Sequence, residues 1–459
     1  MSGRTTRGRD AMGVGLAALN KLASAGLIDR LGLRGTAEKV VYEAARTGFR
    51  AAGATNRTFA AVQQRGRPER PEAAAERELF DLRPTDEQRM IVEATREFAA
   101  EQLRPAAAAA NDACTAPAAL LNRAATELGV AQLSVPQTLG GIGSERSATT
   151  GVLVAEALAH GDMGLAVACL ALAAVSTARV LWCDERQQAT YLPSFVGGDT
   201  GSGTVPAAAL TVLEPHVLFD PFALRTTARR RGGGYVLDGV KSLVPLAGAA
   251  ELFVVAAALD GVPALFLVES GTSGVSVESE PAMGLRAASM GRLLLDGVAV
   301  PQSALLDGTT VAGEHAGSDG ARTGSYAECI RLARLGWAAL ALGTAQAVLD
   351  YVIPYVNERE AFGEPISHRQ AVAFLVADIG IELEGARLVT LRAASRAEQD
   401  RRFARESALA RRLTAEYGMK IGSDGVQLLG GHGYVKEHPV ERWYRDLRAV
   451  GLMEGVVLV

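Results

Sequence analysis

The stretch Leu252-Phe-Val-Val-Ala-Ala-Ala-Leu-Asp-Gly-Val-Pro-Ala-Leu-Phe-Leu-Val268 decides how the chain is divided. Two apolar runs meet at Asp260-Gly261, a pair that accepts positive φ cheaply and so favours a tight hairpin turn. Working outward, Gly233–Gly239 is also β-rich, and short strands at Leu293–Leu295 and Val298–Val300 finish near Pro301. Upstream the period changes to helical. Thr85 to Gln88 spells a T-x-x-Q capping box, and Met90, Ile91, Ala94 and Phe98 follow at helical spacing. That pattern continues, with loops at Val135–Gly143 and Gly197–Gly203, to about residue 207. Downstream, a polar Gly-rich loop at Gly313–Gly324 gives way to long helices from Tyr326, one of them interrupted at Pro354, where a kink is expected. The order is helical, then β, then helical.

Composition agrees with a large folded subunit. The chain has 459 residues, 48% hydrophobic and 21% charged, enough apolar surface to exclude disorder over most of its length. Cys114, Cys169, Cys183 and Cys329 are scattered and form no C-x-x-C pair, which argues against a disulfide scaffold or zinc site and fits a reducing, cytoplasmic setting. The longest apolar run, Leu165 to Trp182, carries Ser176, Thr177 and Arg179 and reads as a buried helix. Residues 1–70 hold 13 Lys/Arg against 5 Asp/Glu, whereas the whole chain has a net charge of −4. This basic extension predicts two amphipathic helices, Ala11 to Ala25 and Ala37 to Val62, with Val40, Val41, Ala44 and Phe49 on one face of the second. A charged linker follows at Arg65–Glu72. Acidic Asp10, Asp29, Glu38 and Glu43 argue against a transit peptide, leaving a packing arm or a peripheral membrane contact through residues 1–64. No aromatic-basic interleaving suggests nucleic acid.

Generic motifs fail. Gly201-Ser-Gly-Thr-Val-Pro206 lacks the third glycine and the preceding strand of a dinucleotide fingerprint. There is no Walker A, H-E-x-x-H or G-x-S-x-G sequence, and the six histidines lack metal-ligand spacing.

The C-terminal third carries Arg334-Leu-Gly-Trp-Ala-Ala-Leu-Ala-Leu-Gly-Thr344, then Arg359-Glu-Ala-Phe-Gly-Glu-Pro-Ile366 with Gln370. Gln427-Leu-Leu-Gly-Gly-His-Gly-Tyr434, Val440-Glu-Arg442, Arg445-Asp446 and Met453-Glu-Gly455 follow. In this order and spacing they resemble the acyl-CoA dehydrogenase family, most closely its very-long-chain branch. The middle is similar to that family too, at Tyr191-Leu-Pro193, Leu224-Arg-Thr-Thr-Ala228, Gly234-Tyr-Val-Leu-Asp-Gly-Val-Lys241, Met283-Gly-Leu-Arg286 and Asp296-Gly-Val-Ala-Val-Pro301. The resemblance implies a mainly α fold with a central β-domain: a helical N-domain over 81–207, a β-barrel-like middle domain over 208–308, and a C-terminal four-helix bundle over 320–459. Residues 1–80 are additional.

The resemblance also implies chemistry: FAD-dependent desaturation of an acyl-CoA thioester between Cα and Cβ, as in fatty-acid β-oxidation. An electron-transfer flavoprotein would be the acceptor, and the enzyme would be a homo- or hetero-oligomer. A carboxylate must take the α-proton while hydride leaves Cβ. Because that proton is a poor acid, the base must be close and desolvated. Glu454 stands at the family's base position, and Arg334 at an arginine near the acyl-CoA pocket. Arg359, Phe362 and Gln370 match positions that contact the ADP part of FAD, often across a subunit interface. Gln427, Gly430 and Gly431 match the family's Q-x-x-G-G, where bare backbone meets the cofactor. Gly363 is readable simply as a helix C-cap.

The match breaks where the flavin ring is held. The family's T-E-P-x-x-G-S-D reads Leu213-Glu-Pro-His-Val-Leu-Phe-Asp220, so a hydroxyl becomes Leu213 and a small serine becomes Phe219. Its K-x-(W/F)-I-(T/S)-N-G reads Lys241-Ser-Leu-Val-Pro-Leu-Ala247, so a shielding aromatic becomes Leu243 and a hydroxyl that reads flavin N5 becomes Pro245. In the tail, Val456 replaces the threonine of E-G-T. Lost buried hydrogen bonds of about 1–3 kcal/mol each would lower cofactor affinity steeply. The alternative is therefore a flavin-poor partner subunit in a mixed acyl-CoA dehydrogenase complex, and a third reading is an acyl-CoA or acyl-carrier binding protein tethered to a membrane surface by residues 1–64.

Overall fold

The computed structural model describes residues 84–142, 146–195, 206–306 and 319–459. The helices expected at Ala11–Ala25 and Ala37–Val62, the linker Arg65–Glu72, residues 201–205 of the Gly201–Pro206 motif and residues 313–318 of the expected Gly313–Gly324 loop lie outside the described residues, whereas residues 319–324 of that loop are helical. Helix α1 (Asp86–Phe98) begins on the expected capping box: Thr85 Oγ1 accepts from the Gln88 N–H at 3.1 Å, and Gln88 Oε1 accepts from the Thr85 N–H at 3.0 Å. Helices α2 (Arg104–Ala113), α3 (Ala118–Glu127), α4 (Ala148–Gly161), α5 (Met163–Trp182) and α6 (Glu185–Phe195) complete the first helical region. Asp162 caps α5 by accepting from the Leu165 N–H at 3.0 Å. By length and composition α5 could cross a bilayer, but 89% of its apolar window is buried inside the protein. A helix covered on every side needs no polar face.

The middle region is a sheet of eight strands: β1 (Ala207–Thr211), β2 (Thr227–Arg231), β3 (Gly234–Val244), β4 (Ala250–Leu259), β5 (Val262–Glu269), β6 (Val275–Ser279), β7 (Gly291–Pro301) and β8 (Leu305–Leu306). The strand order is β6-β7-β3-β2-β4-β5-β8, with β1 parallel to β4. Asp260 (φ 54°) and Gly261 (φ 81°) form the two-residue turn between β4 and β5, whose register pairs Leu259 with Val262. The burial of these strands explains their unbroken apolar sequence. Phe253, Val255, Ala257 and Leu259 join Tyr235, Leu237 and Phe266 in the sheet's own interior. Leu252, Val254 and Ala256 instead pack with Val175, Ala178 and Ile330 from helices. The rings of Tyr235 on β3 and Phe266 on β5 meet with centroids 5.2 Å apart although two strands separate them, so the sheet curls around that interior. No ladder among the described residues joins β6 to β8, so it is open. Leu293–Leu295 and Val298–Val300, expected as separate strands, form the single strand β7, with Gly297 at φ 60° inside it.

Helix α7 (Asp319–Glu358) starts the last region and is followed by β9 (Glu360–Ala361), β10 (Glu364–Pro365), α8 (Gln370–Glu398), α9 (Ala404–Leu428) and α10 (Val440–Leu447). The interruption expected at Pro354 does not break α7, which runs through it to Glu358 with Pro354 on the exposed surface. The expected four-helix bundle is three long helices and one of eight residues. Helix α4 packs against α7 and α8 from the first region. Its approach to α7 requires glycine: a Cβ at Gly343 would lie 2.0 Å from the Glu156 carbonyl oxygen.

Candidate active site

Glu454 follows a short 3-10 turn at Arg448–Gly451, and its position is fixed by its neighbours. The Trp337 indole N–H on α7 donates to the Gly455 carbonyl at 2.8 Å. Gly455 has φ 74°, and a Cβ there would be 2.5 Å from Val212 Cγ2, just past the end of β1. Glycine thus lets the tail close on the sheet and sets Glu454 where α7, α9 and β1 converge. Its side chain is 9% exposed. Arg334 Nη2 donates to Oε1 at 2.9 Å, and Arg334 Nε lies 3.2 Å from both carboxylate oxygens. Arg411, on α9, brings Nη1 to 3.5 Å from Oε1.

The surroundings are of low polarity. Burial pushes the Cys329 thiol and Tyr326 phenol up, and the nearby Glu454 charge adds to both shifts. Tyr326 keeps its proton in a 2.7 Å hydrogen bond to the Pro221 carbonyl. Burial also lowers the Arg411 guanidinium, against the attraction of Glu454. The arrangement is a dry carboxylate oriented by guanidinium groups, able to accept a proton from a carbon acid. Sequence reasoning singled out Arg334 and Glu454 but missed Arg411, because nothing in its α9 context marks it as facing residue 454.

The other expected residues gather elsewhere. Arg359, Phe362, Gln427, Gly430 and Gly431 line one open cavity of about 860 Å³, together with Arg369 and His432. Gly363 is not a helix cap. Phe362 (φ 60°) and Gly363 (φ 84°) form the turn of the β9–β10 hairpin, which sets Phe362 at the tip, 95% exposed. The Arg369 guanidinium lies 5.6 Å from the Phe362 ring centroid. Gln370 is the first residue of α8, exposed and beside the cavity rather than among its lining residues. A Cβ at Gly430 or Gly431 would meet no protein atom within 4 Å, so bare backbone faces the open space. Paired guanidinium donors and uncovered backbone fit the ADP half of FAD.

The ring-end positions are apolar. Leu213 is buried, Leu243 and Phe219 pack against the main core, and His216 meets the Phe219 ring edge-on with centroids 5.4 Å apart. Backbone groups here are used internally. The Ser242 N–H donates to the Leu213 carbonyl at 2.9 Å, and the Leu243 N–H donates to Glu280 Oε2 at 2.7 Å. These ring-end residues are packed into the protein's own core, and the residues that fit the cofactor are those lining the open cavity at the ADP end. Beside the ring-end residues is a buried ion pair that the sequence motifs alone do not reveal, Lys241 Nζ to Glu214 Oε1, 2.9 Å. Burial acts to raise Glu214, but Lys241 and the Thr226 and Arg225 N–H groups outweigh it and hold the carboxyl at about 2. Burial lowers Lys241 to about 8, with Glu214 opposing.

Comparison with known proteins agrees in order and extent. The N-terminal, middle and C-terminal domains of acyl-CoA dehydrogenase match residues 85–199, 207–298 and 324–457. An acyl-CoA dehydrogenase of Bacillus subtilis (strain 168) is 31% identical over 379 residues, covering 81% of this chain and 95% of that protein. The short-chain specific mitochondrial enzyme of Bos taurus is 32% identical over 80% of this chain and 86% of its own length. A glutaryl-CoA dehydrogenase from Mycobacterium smegmatis, solved in complex with FADH2, is similar with a TM-score of 0.71 and 25% identity, covering 81% of this chain and 92% of that one. The expected affinity to the very-long-chain branch is not supported, since these relatives act by name on short-chain and glutaryl substrates. The chain belongs to the acyl-CoA dehydrogenase family of FAD-dependent enzymes.

Proposed function

We propose that this chain desaturates short or branched acyl-CoA thioesters between Cα and Cβ, with Glu454 as the base. The observation that carries the reading is the buried Glu454 carboxylate held by Arg334 where α7, α9 and β1 meet. Glu454 takes the α-proton, and Arg334 orients the carboxylate for it. The buried tail Val456–Val459, with Cys329 and Ile330, keeps water from the carboxylate. FAD, when bound, supplies the hydride acceptor. Arg359, Gln427, Gly430 and Gly431 would hold its ADP half. The open cavity rimmed by exposed Phe362 supports completion of the dinucleotide site by a second chain, and an electron-transfer flavoprotein is the proposed acceptor.

The absorption spectrum of the purified protein tests this. A yellow protein that bleaches with butyryl-CoA supports it, and Glu454→Gln should bind FAD yet fail to bleach. Unchanged bleaching in that variant would remove Glu454 as the base. A colourless protein that binds acyl-CoA without turnover would favour the partner-subunit reading instead.

A further inference from the structure

The two oxygens of Glu454 are not held alike. Oε1 lies within reach of three guanidinium nitrogens: Arg334 Nη2 at 2.9 Å, Arg334 Nε at 3.2 Å and Arg411 Nη1 at 3.5 Å. Oε2 has Arg334 Nε alone, at 3.2 Å. A carboxylate oxygen carries two lone pairs, so Oε1 is occupied and Oε2 keeps acceptor capacity. Arg334 spans both oxygens and sets the carboxylate plane, with its shortest contact on Oε1. Arg411 approaches from a different helix, and its buried Nη1 makes no hydrogen bond, so it meets Oε1 as a charge alone. Among the described residues, Glu454 is the only carboxylate with which Arg411 forms an ion pair.

We propose that Arg411 is a positioning residue for proton transfer: it pins Oε1 of Glu454 so that Oε2 is presented to the substrate's α-carbon. In the step it serves, the Cα–H bond breaks, the proton forms an O–H bond at Oε2, and the bond's electron pair stays on the substrate as its enolate. The 3.5 Å separation makes Arg411 act by charge more than by an aligned hydrogen bond, so lysine should substitute for it. The inference rests on Glu454 being the base.

Acetyl-CoA separates proton transfer from oxidation, because it has no β-carbon to lose hydride. The protein is incubated with acetyl-CoA in D2O, and loss of the acetyl proton signal is followed by NMR. Wild type should exchange above the solution background, and Glu454→Gln should not. Arg411→Met and Arg411→Gln should slow exchange at saturating acetyl-CoA by tenfold or more. Their half-saturating concentration should stay within threefold of wild type, and Arg411→Lys should recover to within threefold of the wild-type rate. Circular dichroism melts check that each variant is folded, and the glutamine variant serves if the methionine one is not. Wild-type exchange rates in Arg411→Met and Arg411→Gln, a loss seen only in half-saturation, or failure of lysine to rescue would overturn the role of Arg411. Exchange persisting in Glu454→Gln, or none in wild type, would overturn the base assignment itself.

Discussion

Lys241 is fully buried and donates to Glu214 Oε1 at 2.9 Å and to the Val212 carbonyl at 3.2 Å. Replacing it with methionine keeps most of its volume and removes the charge. Glu214 is then left buried with the Arg225 and Thr226 N–H donors at 2.8 and 2.9 Å. Breaking a buried ion pair from one side costs about 3–5 kcal/mol. Glu214's own linkage is of similar size, and burial of the Lys241 charge, lowered to about 8, opposes it in the intact pair. The folded Glu214 value of about 2 against an ordinary 4.5 corresponds to about 3 kcal/mol, at about 1.4 kcal/mol per unit. A depressed carboxyl stabilises the fold above its ordinary value, and that stabilisation drains away as pH falls from 4.5 through 2. Urea unfolding followed by circular dichroism at pH 7 should therefore show Lys241→Met less stable by about 3 kcal/mol. At pH 3 the gap should shrink to less than half. The double variant Glu214→Gln/Lys241→Met should lose less than the two singles summed. A gap under about 0.5 kcal/mol at pH 7, the ordinary surface-substitution effect, or an equal gap at both pH values, would refute the assignment of stability to this pair.

Further outcomes follow from other contacts. Arg359→Ala should weaken FAD binding about tenfold or more, read by flavin fluorescence, if its guanidinium meets the pyrophosphate. An unchanged affinity would remove it from the site. Pro245→Thr, which restores a hydroxyl at the ring end, should tighten FAD by up to about tenfold. Gly455→Ala forces a Cβ to 2.5 Å from Val212 Cγ2 at a φ of 74° and should lower the melting temperature and abolish turnover; a fully active variant would show that the tail has room to shift. Burial, reinforced by Asp162, raises Asp446 to about 7, so folding takes up a proton between its ordinary 3.8 and about 7. Stability should then fall as pH rises through that window, and Asp446→Asn should flatten the dependence in urea titrations from pH 4 to 8.

Much of the architecture was legible because local chemistry declares it. The T-x-x-Q box starts α1, and Asp260-Gly261 turns β4 into β5, since both signals depend only on neighbouring residues. Gly363 and Pro354 misled for the complementary reason. A glycine after a helix serves a cap or a hairpin equally well. A proline on the exposed side of a long packed helix is carried by the tertiary contacts on either side of it. The apolar run of α5 was legible, since Ser176, Thr177 and Arg179 break it as a bilayer span, and 89% of its apolar window is buried inside the protein.

Order and spacing of motifs determined, from sequence alone, the family, the helical–β–helical plan and the candidate base Glu454. Tertiary structure alone decided which charges meet. Arg334, Arg411 and Glu454 lie up to 120 positions apart, and Glu214 and Lys241 lie 27 apart. No periodicity records such pairings. Coulomb attraction between buried groups depends on their separation in space and on the water excluded around them, and both arise only when the helices and sheet close on one another.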